Sequence, residues 1–289
     1  MKVAIMTDSN SGIMPEDAKD LGLYVIPMPV IVNGEEYYEN ENITQEQFYE
    51  KLKQNADVLT SQPSIFGIAE KWEEMLKEYD QIVYIPMSSG LSGSCQTATV
   101  KAEEFNGKVF VVDNKRISVT QKQAVFDALE LAKEGKSGEE IKEYLLDTSM
   151  KSSIYIMLDT LKYLKRGGRL TPAAALLGSL LRIKPVLTIQ GEKLDKFCQV
   201  MVQNMGKKKM IEQIEHEINT RFKDELENGK LVVNLAYTNN IEKCEQFKIE
   251  VNEMLSKYNL EVTYVDALPL SISCHIGDGA LGIAICSKN

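Results

Sequence analysis

The side chains best suited to chemistry lie in four stretches. The first is Ser88-Ser89-Gly90-Leu91-Ser92-Gly93-Ser94, directly after the apolar run Ile82-Val83-Tyr84-Ile85. Ser92 stands where a helix N-cap belongs, and a cap serine accepts from backbone N–H groups of the first turn. Those N–H groups have no partners within the helix and carry the positive end of its dipole. Two readings stay open: a capped helix after a Gly-rich turn, or a site for a small anion such as a phosphate or a carboxylate. Thr60-Ser61-Gln62-Pro63-Ser64 repeats the arrangement about 30 residues earlier. There Pro63 suits the first turn of a helix, with hydroxyls before it as cap.

The third stretch is basic. From Thr160 to Gly191 there is no acid, but there are Lys162, Lys165, Arg166, Arg169, Arg182 and Lys184, in a chain of net charge −9. This is either a solvated face, a site for an anionic head group, or a docking patch for an acidic partner. The apolar segment Ala173–Leu181 interrupts it. That juxtaposition suits an amphiphile with a charged head and a long tail.

The fourth stretch, His275-Ile276-Gly277-Asp278-Gly279-Ala280-Leu281-Gly282, reads as a Gly-rich loop that could approach Ser92. With Ser92 as nucleophile and His275 as base, a lipid esterase or thioesterase is the rival reading. Gly90-Leu91-Ser92-Gly93-Ser94 is near the hydrolase elbow, but Ser94 stands where glycine is needed, and no third partner is evident. Gly277, Gly279 and Gly282 have the spacing of a dinucleotide fingerprint. That motif must follow a first strand and open a helix, whereas only seven residues remain here and they read as a strand. No phosphate loop or kinase signature is present, so no nucleotide cofactor is expected.

These stretches need a scaffold. The chain has 289 residues, 44% hydrophobic and 26% charged, the balance of a globular protein large enough for two domains. Its acidity argues against nucleic acid or an anionic membrane as main partner. The five cysteines (95, 198, 244, 274, 286) are odd in number, scattered and without a Cys-x-x-Cys pair. They point to a cytoplasmic location with no disulfide framework and no zinc site. With only His216 and His275, a His-rich metal centre is excluded. Met1-Lys2-Val3-Ala4-Ile5-Met6 runs straight into a strand and does not read as a signal peptide. The longest nearly apolar run, Pro172–Leu181, is too short to span a bilayer, so no stable membrane insertion is expected.

Strands alternate with helices up to about residue 150, which predicts a Rossmann-like parallel sheet with its ligand loops after Met6, Met87 and Val112. Leu23–Val32 reads as a strand confined to an edge or bulge by Pro27 and Pro29. Thr44 and Gln47 read as a capping box. Helices are expected at 118–134 and 138–148. A second set begins at Ser152: a strand, a helix at 159–166, and a short helix at Ala173–Leu181 capped by Thr171 and opened by Pro172. A hairpin across Gly191-Glu192 follows, joining Ile183–Gln190 to Lys193–Met201. Then come a helix at 206–227, a strand at 231–237, a helix at 241–257, a strand at 260–266 and a last strand to Cys286. The fold class is thus α/β in two domains, 1–150 and 151–289, the second with a mixed sheet.

Taken together, Thr7-Asp8-Ser9, Thr60-Ser61-Gln62-Pro63-Ser64, Ser88 to Ser94, Leu164-Lys165-Arg166-Gly167-Gly168-Arg169-Leu170, Lys184-Pro185-Val186-Leu187 and His275-Ile276-Gly277-Asp278-Gly279 resemble the motifs of the DegV family, in the family's order and over nearly the whole chain. These are bacterial fatty-acid-binding proteins, some of them the FakB subunit of fatty acid kinase. The resemblance implies one long-chain fatty acid held between the domains. It implies a carboxylate bound by Thr60, with Ser61 beside it, and by Ser92 and the N–H of Gly93. Arg169 and His275 would belong to the surrounding polar network. The first domain would carry the head-group loops and the second an acyl-tail tunnel, for which the helix at Ala173–Leu181 would be a wall. It further implies an ATP-dependent kinase subunit as partner, the binding protein itself having no catalytic residues, metal or cofactor. One departure is Gln203, in a segment where many members carry arginine; Lys207-Lys208-Lys209 is retained. It bears on the kinase partnership more than on fatty-acid binding.

Overall fold

Short β-branched runs form strands, and the amphipathic stretches between them form helices, because each must bury one side against the other. The computed structural model describes residues 1–176 and 183–289. The first half contains β1 (Val3–Asp8), α1 (Pro15–Leu21), β2 (Tyr24–Ile26), β3 (Pro29–Val32), β4 (Glu35–Tyr38), α2 (Gln45–Lys53), β5 (Val58–Thr60), α3 (Ile65–Met75), β6 (Gln81–Ile85), α4 (Ser94–Ala102), β7 (Val109–Val111), α5 (Ser118–Lys133) and α6 (Gly138–Asp147). The second contains β8 (Ser152–Met157), α7 (Lys162–Gly167), α8 (Pro172–Ala175), β9 (Lys184–Ile189), β10 (Asp195–Val200), α9 (Gln203–Asn219), α10 (Lys223–Glu227), β11 (Leu231–Tyr237), α11 (Ile241–Leu255), β12 (Val262–Ala267), α12 (Leu270–Ile276) and β13 (Leu281–Ser287).

Strands β2-β1-β6-β7 form a wholly parallel sheet. Side chains alternate across a strand, so Ala4 and Met6 join Trp72 of α3 and Cys95 of α4 on one face. Ile5 joins Ala124 and Val125 of α5 and Ile141 of α6 on the other. Both faces are covered, as a parallel sheet requires. Strands β10-β9-β8-β13-β11-β12 form a mixed sheet in which only β11 and β12 run parallel. Helices α9 and α11 cover one face through Met210, Ile214, Phe247 and Val251. The α/β class, with a parallel first sheet and a mixed second one, agrees with the sequence expectation.

Helix α5 lies between these sheets. Ala124, Val125 and Ala128 pack toward the parallel sheet. On the opposite side Lys122 donates to Asp266 of β12 at 2.7 Å, and the Tyr264 hydroxyl donates to the carbonyl of Val119 at 2.9 Å. Asp127 accepts from the N–H of Asn289 at 3.0 Å.

Several local expectations are corrected. Leu23–Val32 is not one strand. The chain breaks between Ile26 and Pro29, so that β2 edges the parallel sheet while β3 is central in a third, antiparallel sheet, β4-β3-β5. Pro29 opens β3, a position where a missing N–H is tolerated. Pro63 precedes its helix; Ser64 caps α3 by accepting from the N–H of Gly67 at 3.3 Å. The helix expected at 206–227 starts at Gln203 and breaks at Thr220, giving α9 and α10. His275 sits in the last turn of α12 and not in a loop. The Thr44–Gln47 capping box is present, with both of its hydrogen bonds. Of the helix expected at Ala173–Leu181, α8 is described, capped by Thr171 accepting from the N–H of Ala174 at 3.2 Å. Residues 177–181 lie outside the described residues.

Candidate functional site

The loops after β1, β6 and β7 meet at the C-terminal edge of the parallel sheet. Asp8, fully buried, accepts from the N–H groups of Asn10 at 3.0 Å and Met87 at 2.9 Å and from Gln121 Nε2 at 3.2 Å. Burial raises its pKa, against the opposing pull of these donors. Ser89 donates from both its N–H and its hydroxyl to Asp113, at 3.0 and 2.5 Å, and Lys115 closes the group at 2.9 Å from Asp113. Burial opposes the charge on Asp113, but Ser89 and Lys115 outweigh it and hold the carboxyl below its usual value.

The serines of the loop divide by role. The Ser88 hydroxyl donates to the carbonyl of Gly191 at 3.0 Å and accepts from the N–H of Gly90 at 3.2 Å. Ser88 and Ser89 therefore shape the loop. Ser92 is left facing an internal cavity. Its oxygen accepts from the N–H of Ser94 at 3.2 Å, and its hydrogen goes to the Ser94 hydroxyl at 3.1 Å. Gly93 already has helical φ and ψ of −73° and −7°, so Ser92 does the work of a cap one residue ahead of it.

Thr60 ends β5, where a β-branched residue fits, and it is paired opposite Val30. Helix α12 packs against this small sheet through Leu270 and Cys274. It thereby brings His275 Nε2 to 3.0 Å from Thr60 Oγ1. Gly168, with φ +69°, ends α7, and its N–H bonds to the carbonyl of Leu164. The chain then turns so that Arg169 donates from Nε to the carbonyl of Leu91 at 3.1 Å, and from Nη1 to the carbonyl of Gly167. Gly167 backs directly onto the histidine: a Cβ there would lie 2.5 Å from His275 Nδ1. Burial, and then the Arg169 charge, pull the His275 pKa down to about 4. The imidazole is therefore neutral near pH 7.

Thr60, Ser61, Ser92, Gly93, Arg169 and His275 all line one cavity of about 360 Å³. This is at the small end of the range for small-molecule sites. Gln62 joins them; its amide accepts from Thr97 Oγ1 at 3.1 Å and lies close beside Gly93. Most of the remaining wall is apolar: Ile154 and Ile156 of β8, Ile189 of β9, Ala236 of β11, and Ile117 and Leu268 among others. Leu194 and Leu164 extend it, and Ala174 packs in the same apolar cluster. Leu176 points the other way, 82% exposed.

Sequence reasoning missed Gln62, and also Asn10, Ser118 and Ser271, which line the cavity. Asn10 accepts from the Ser271 hydroxyl at 2.7 Å across 261 residues of chain, which no local pattern announces. Ser118 takes a left-handed φ of +56°, again without a local signal. For the esterase reading the geometry is unfavourable: His275 Nε2 faces Thr60, while the Ser92 hydroxyl is engaged with Ser94. Among the described residues no cluster of His, Cys, Asp and Glu could hold a metal, and no helix is long and apolar enough to cross a membrane.

Similarity to known proteins extends over nearly the whole chain. The family model described as "Uncharacterised protein, DegV family" matches residues 2–288. Protein DegV of Bacillus subtilis is 32% identical over 291 residues, covering 100% of each chain. A DegV domain-containing protein of Staphylococcus aureus strain N315 is 30% identical over 292 residues, covering 99% of each. Among solved structures, a DegV family protein of Thermus thermophilus, described for its fatty acid binding, has a TM-score of 0.85 at 30% identity, covering 99% of this chain and 100% of that one. The structure of DegV from Bacillus subtilis, described as a fatty acid binding protein, has a TM-score of 0.84 at 29% identity, with 100% of each chain covered.

Proposed function

The chain belongs to the DegV family, and from that premise we propose that it binds a single long-chain fatty acid. The observation that carries the reading is the cavity itself. Hydroxyls, a helix N-terminus and one guanidinium gather in one part of it, and isoleucine and leucine make up most of the rest.

In this reading the carboxylate accepts from the Thr60 and Ser92 hydroxyls and the Gly93 N–H. Hydrogen bonds to a charged group are about twice as strong as neutral ones. Ser92 can turn its hydrogen from Ser94 to the ligand and still accept from the Ser94 N–H. Ser61 and Gln62 edge this end. Arg169 supplies the countercharge while staying tied to the loop it supports. His275, neutral, holds Thr60 in position without adding a second cation. The tail lies along the apolar wall, where each buried methylene contributes about 0.8 kcal/mol.

The finer parts of the proposal are these. Residues 1–150 and 151–289 act as two domains, the first supplying the hydroxyl loops and the second most of the tail wall. The protein is cytoplasmic and has no catalytic residues of its own. It presents the bound carboxylate to an ATP-dependent kinase subunit. The basic start of α9, suggested as part of that encounter, is largely neutralised within the chain: Lys207 pairs with Glu250 at 2.9 Å and Lys209 with Glu212 at 2.9 Å. Organic extraction of the purified protein followed by mass spectrometry tests the central claim. Recovery of one equivalent of a long-chain acid is expected. Absence of any acyl species, together with no uptake of added palmitate, would overturn it.

A further inference from the structure

Helix α12, which carries His275, is only seven residues long and has no cap of its own: its N-cap is Pro269, which offers no side-chain acceptor. A helix this short depends on contacts from elsewhere in the fold, and its first N–H groups need partners. The first of them, that of Leu270, donates to Glu39 Oε2 at 2.7 Å, across 231 residues of chain. Glu39 follows β4 and enters a turn fixed by Asn40, whose φ is +63° and whose N–H donates to the carbonyl of Ile43 at 3.0 Å. The other carboxylate oxygen, Oε1, accepts from Gln45 Nε2 at 2.7 Å, and the same amide reaches the carbonyl of Leu268 at 3.3 Å. Glu39 and Gln45 thus grip the chain at the point where it enters α12.

Glu39 is 8% exposed. Burial raises its pKa, the Leu270 N–H and the Gln45 amide pull the other way, and the Glu16 charge adds to the rise. Among the described residues no lysine or arginine pairs with it. A buried carboxylate without a cation is costly. Here the positive end of a helix dipole offsets part of that cost. Apolar contacts are non-directional, whereas this bond fixes the height and rotation of the helix it holds. His275 lies five residues further along, about 7.5 Å of helical rise, and meets Thr60 at 3.0 Å.

We propose that Glu39 is a positioning residue for ligand binding, which sets His275 against Thr60 by holding the first N–H of α12. The proposal rests on the fatty-acid reading above and goes beyond it, since Glu39 does not line the cavity. The other ties of α12 show that its loss would displace the helix and not unfold it. Tyr49, one turn after Gln45 on α2, donates to Ser273 Oγ at 2.9 Å, and Ser271 donates to Asn10 at 2.7 Å. Leu270 and Cys274 pack with Phe48, Tyr49 and Leu52. At the far end Gly277, with φ +77°, passes so close under Tyr163 that a Cβ there would lie 2.7 Å from the ring.

The test uses the full chain, with Glu39→Gln, which keeps the shape and removes the charge, and Gln45→Ala as a second variant that removes the other tie of the carboxylate. Val251→Ala, buried in the cluster under α11, is the control for lost stability alone. Thermal unfolding, imidazole NMR of the ligand-free protein with exposed His216 as reference, and palmitate titration are measured for each. Glu39→Gln is expected to move the His275 signals and to weaken palmitate by about tenfold, and Gln45→Ala to do both to a smaller extent. Val251→Ala is expected to lower the unfolding temperature with the His275 signals and the affinity unchanged. Unmoved His275 signals in both Glu39→Gln and Gln45→Ala would overturn the proposal. So would moved signals with full palmitate affinity, or a loss of affinity no larger than that of Val251→Ala. Failure of the unmodified protein to bind palmitate is a different result: it overturns the fatty-acid reading, while the signals of the ligand-free protein still decide whether Glu39 places His275.

Discussion

Replacing Gly167 by alanine should destabilise the protein, against the ordinary preference of a helix. Gly167 is the last residue of α7, where alanine would normally be better by about 0.5–1 kcal/mol. Here the added carbon would stand 2.5 Å from His275 Nδ1 and 3.1 Å from the adjacent ring carbon. Unstrained contacts begin at roughly 3.5 Å, so the ring must retreat by about 1 Å. It has little freedom to do so, because its far edge is 3.0 Å from Thr60 Oγ1. Overpacking of this kind costs about 1–3 kcal/mol, and losing the Thr60 contact adds about 0.5–1.5 kcal/mol. The displaced ring would also intrude on the proposed carboxylate position, and each 1.4 kcal/mol of lost binding is about tenfold in affinity. Thermal unfolding and titration with a fluorescent fatty acid measure the two effects separately. The chain has only two histidines, so imidazole NMR can follow His275 with exposed His216 as internal reference. A variant that is more stable than the parent, binds equally well and leaves the His275 signals unmoved would refute the reasoning.

Four further outcomes are expected. Ser92→Ala should weaken fatty-acid binding by about 1.5–3 kcal/mol, the loss of one bond to a charged group; unchanged affinity would count against the proposed carboxylate position. The His275 pKa of about 4 lies below its ordinary 6.5. Its contribution to stability is therefore complete above pH 6.5 and lost as the pH falls through 4, by up to roughly 3 kcal/mol at 1.36 kcal/mol per unit. His275→Gln should flatten that acid limb in denaturant titrations at pH 7 and pH 4.5, and an identical pH dependence in both proteins would contradict it. Ala174→Leu, at a fully buried position in the cluster beside the cavity wall, should lower stability by about 1–3 kcal/mol and discriminate against long acids in a folded variant; equal affinity for every chain length would remove the tunnel-wall role. The protein alone should show no ATP hydrolysis, given the lack of a phosphate loop with its lysine and metal ligands, and turnover by a kinase-free preparation would exclude the substrate-carrier reading.

What was legible in the sequence was local. Ser92 announces itself as a cap, the glycine pair before Arg169 as a helix end, and the alternation of strands and helices as an α/β fold. What was not legible depends on pairing across the chain. Thr60 and His275 are 215 residues apart and meet only because α12 packs on the small antiparallel sheet. That sheet is hidden in the sequence because β2 and β3 form one nearly continuous apolar run, in which the prolines mark a change of sheet and not an edge. Ser88, Ser89 and Ser92 are chemically alike, and only their partners separate the two that build the loop from the one that faces the cavity. The glycines after His275 hide the helix that ends beside them; burial of Leu270 and Cys274 supplies what propensity does not.

Helix α5 has a consequence for how a ligand exchanges. A hinge requires a seam crossed by few contacts. Between these two sheets the seam is filled by a helix whose apolar side is packed against one sheet, while Lys122 and the Val119 carbonyl are bonded to the other. Swinging the halves apart would break the Lys122–Asp266 ion pair and take the Tyr264 hydroxyl from the Val119 carbonyl, so the seam resists opening. Exchange through the cavity is therefore expected to be a local event, of the kind that proceeds with most of the molecule intact. The residence time of a bound molecule should follow the opening of one patch of wall. Mutations that change global stability from a distance should leave it unaltered.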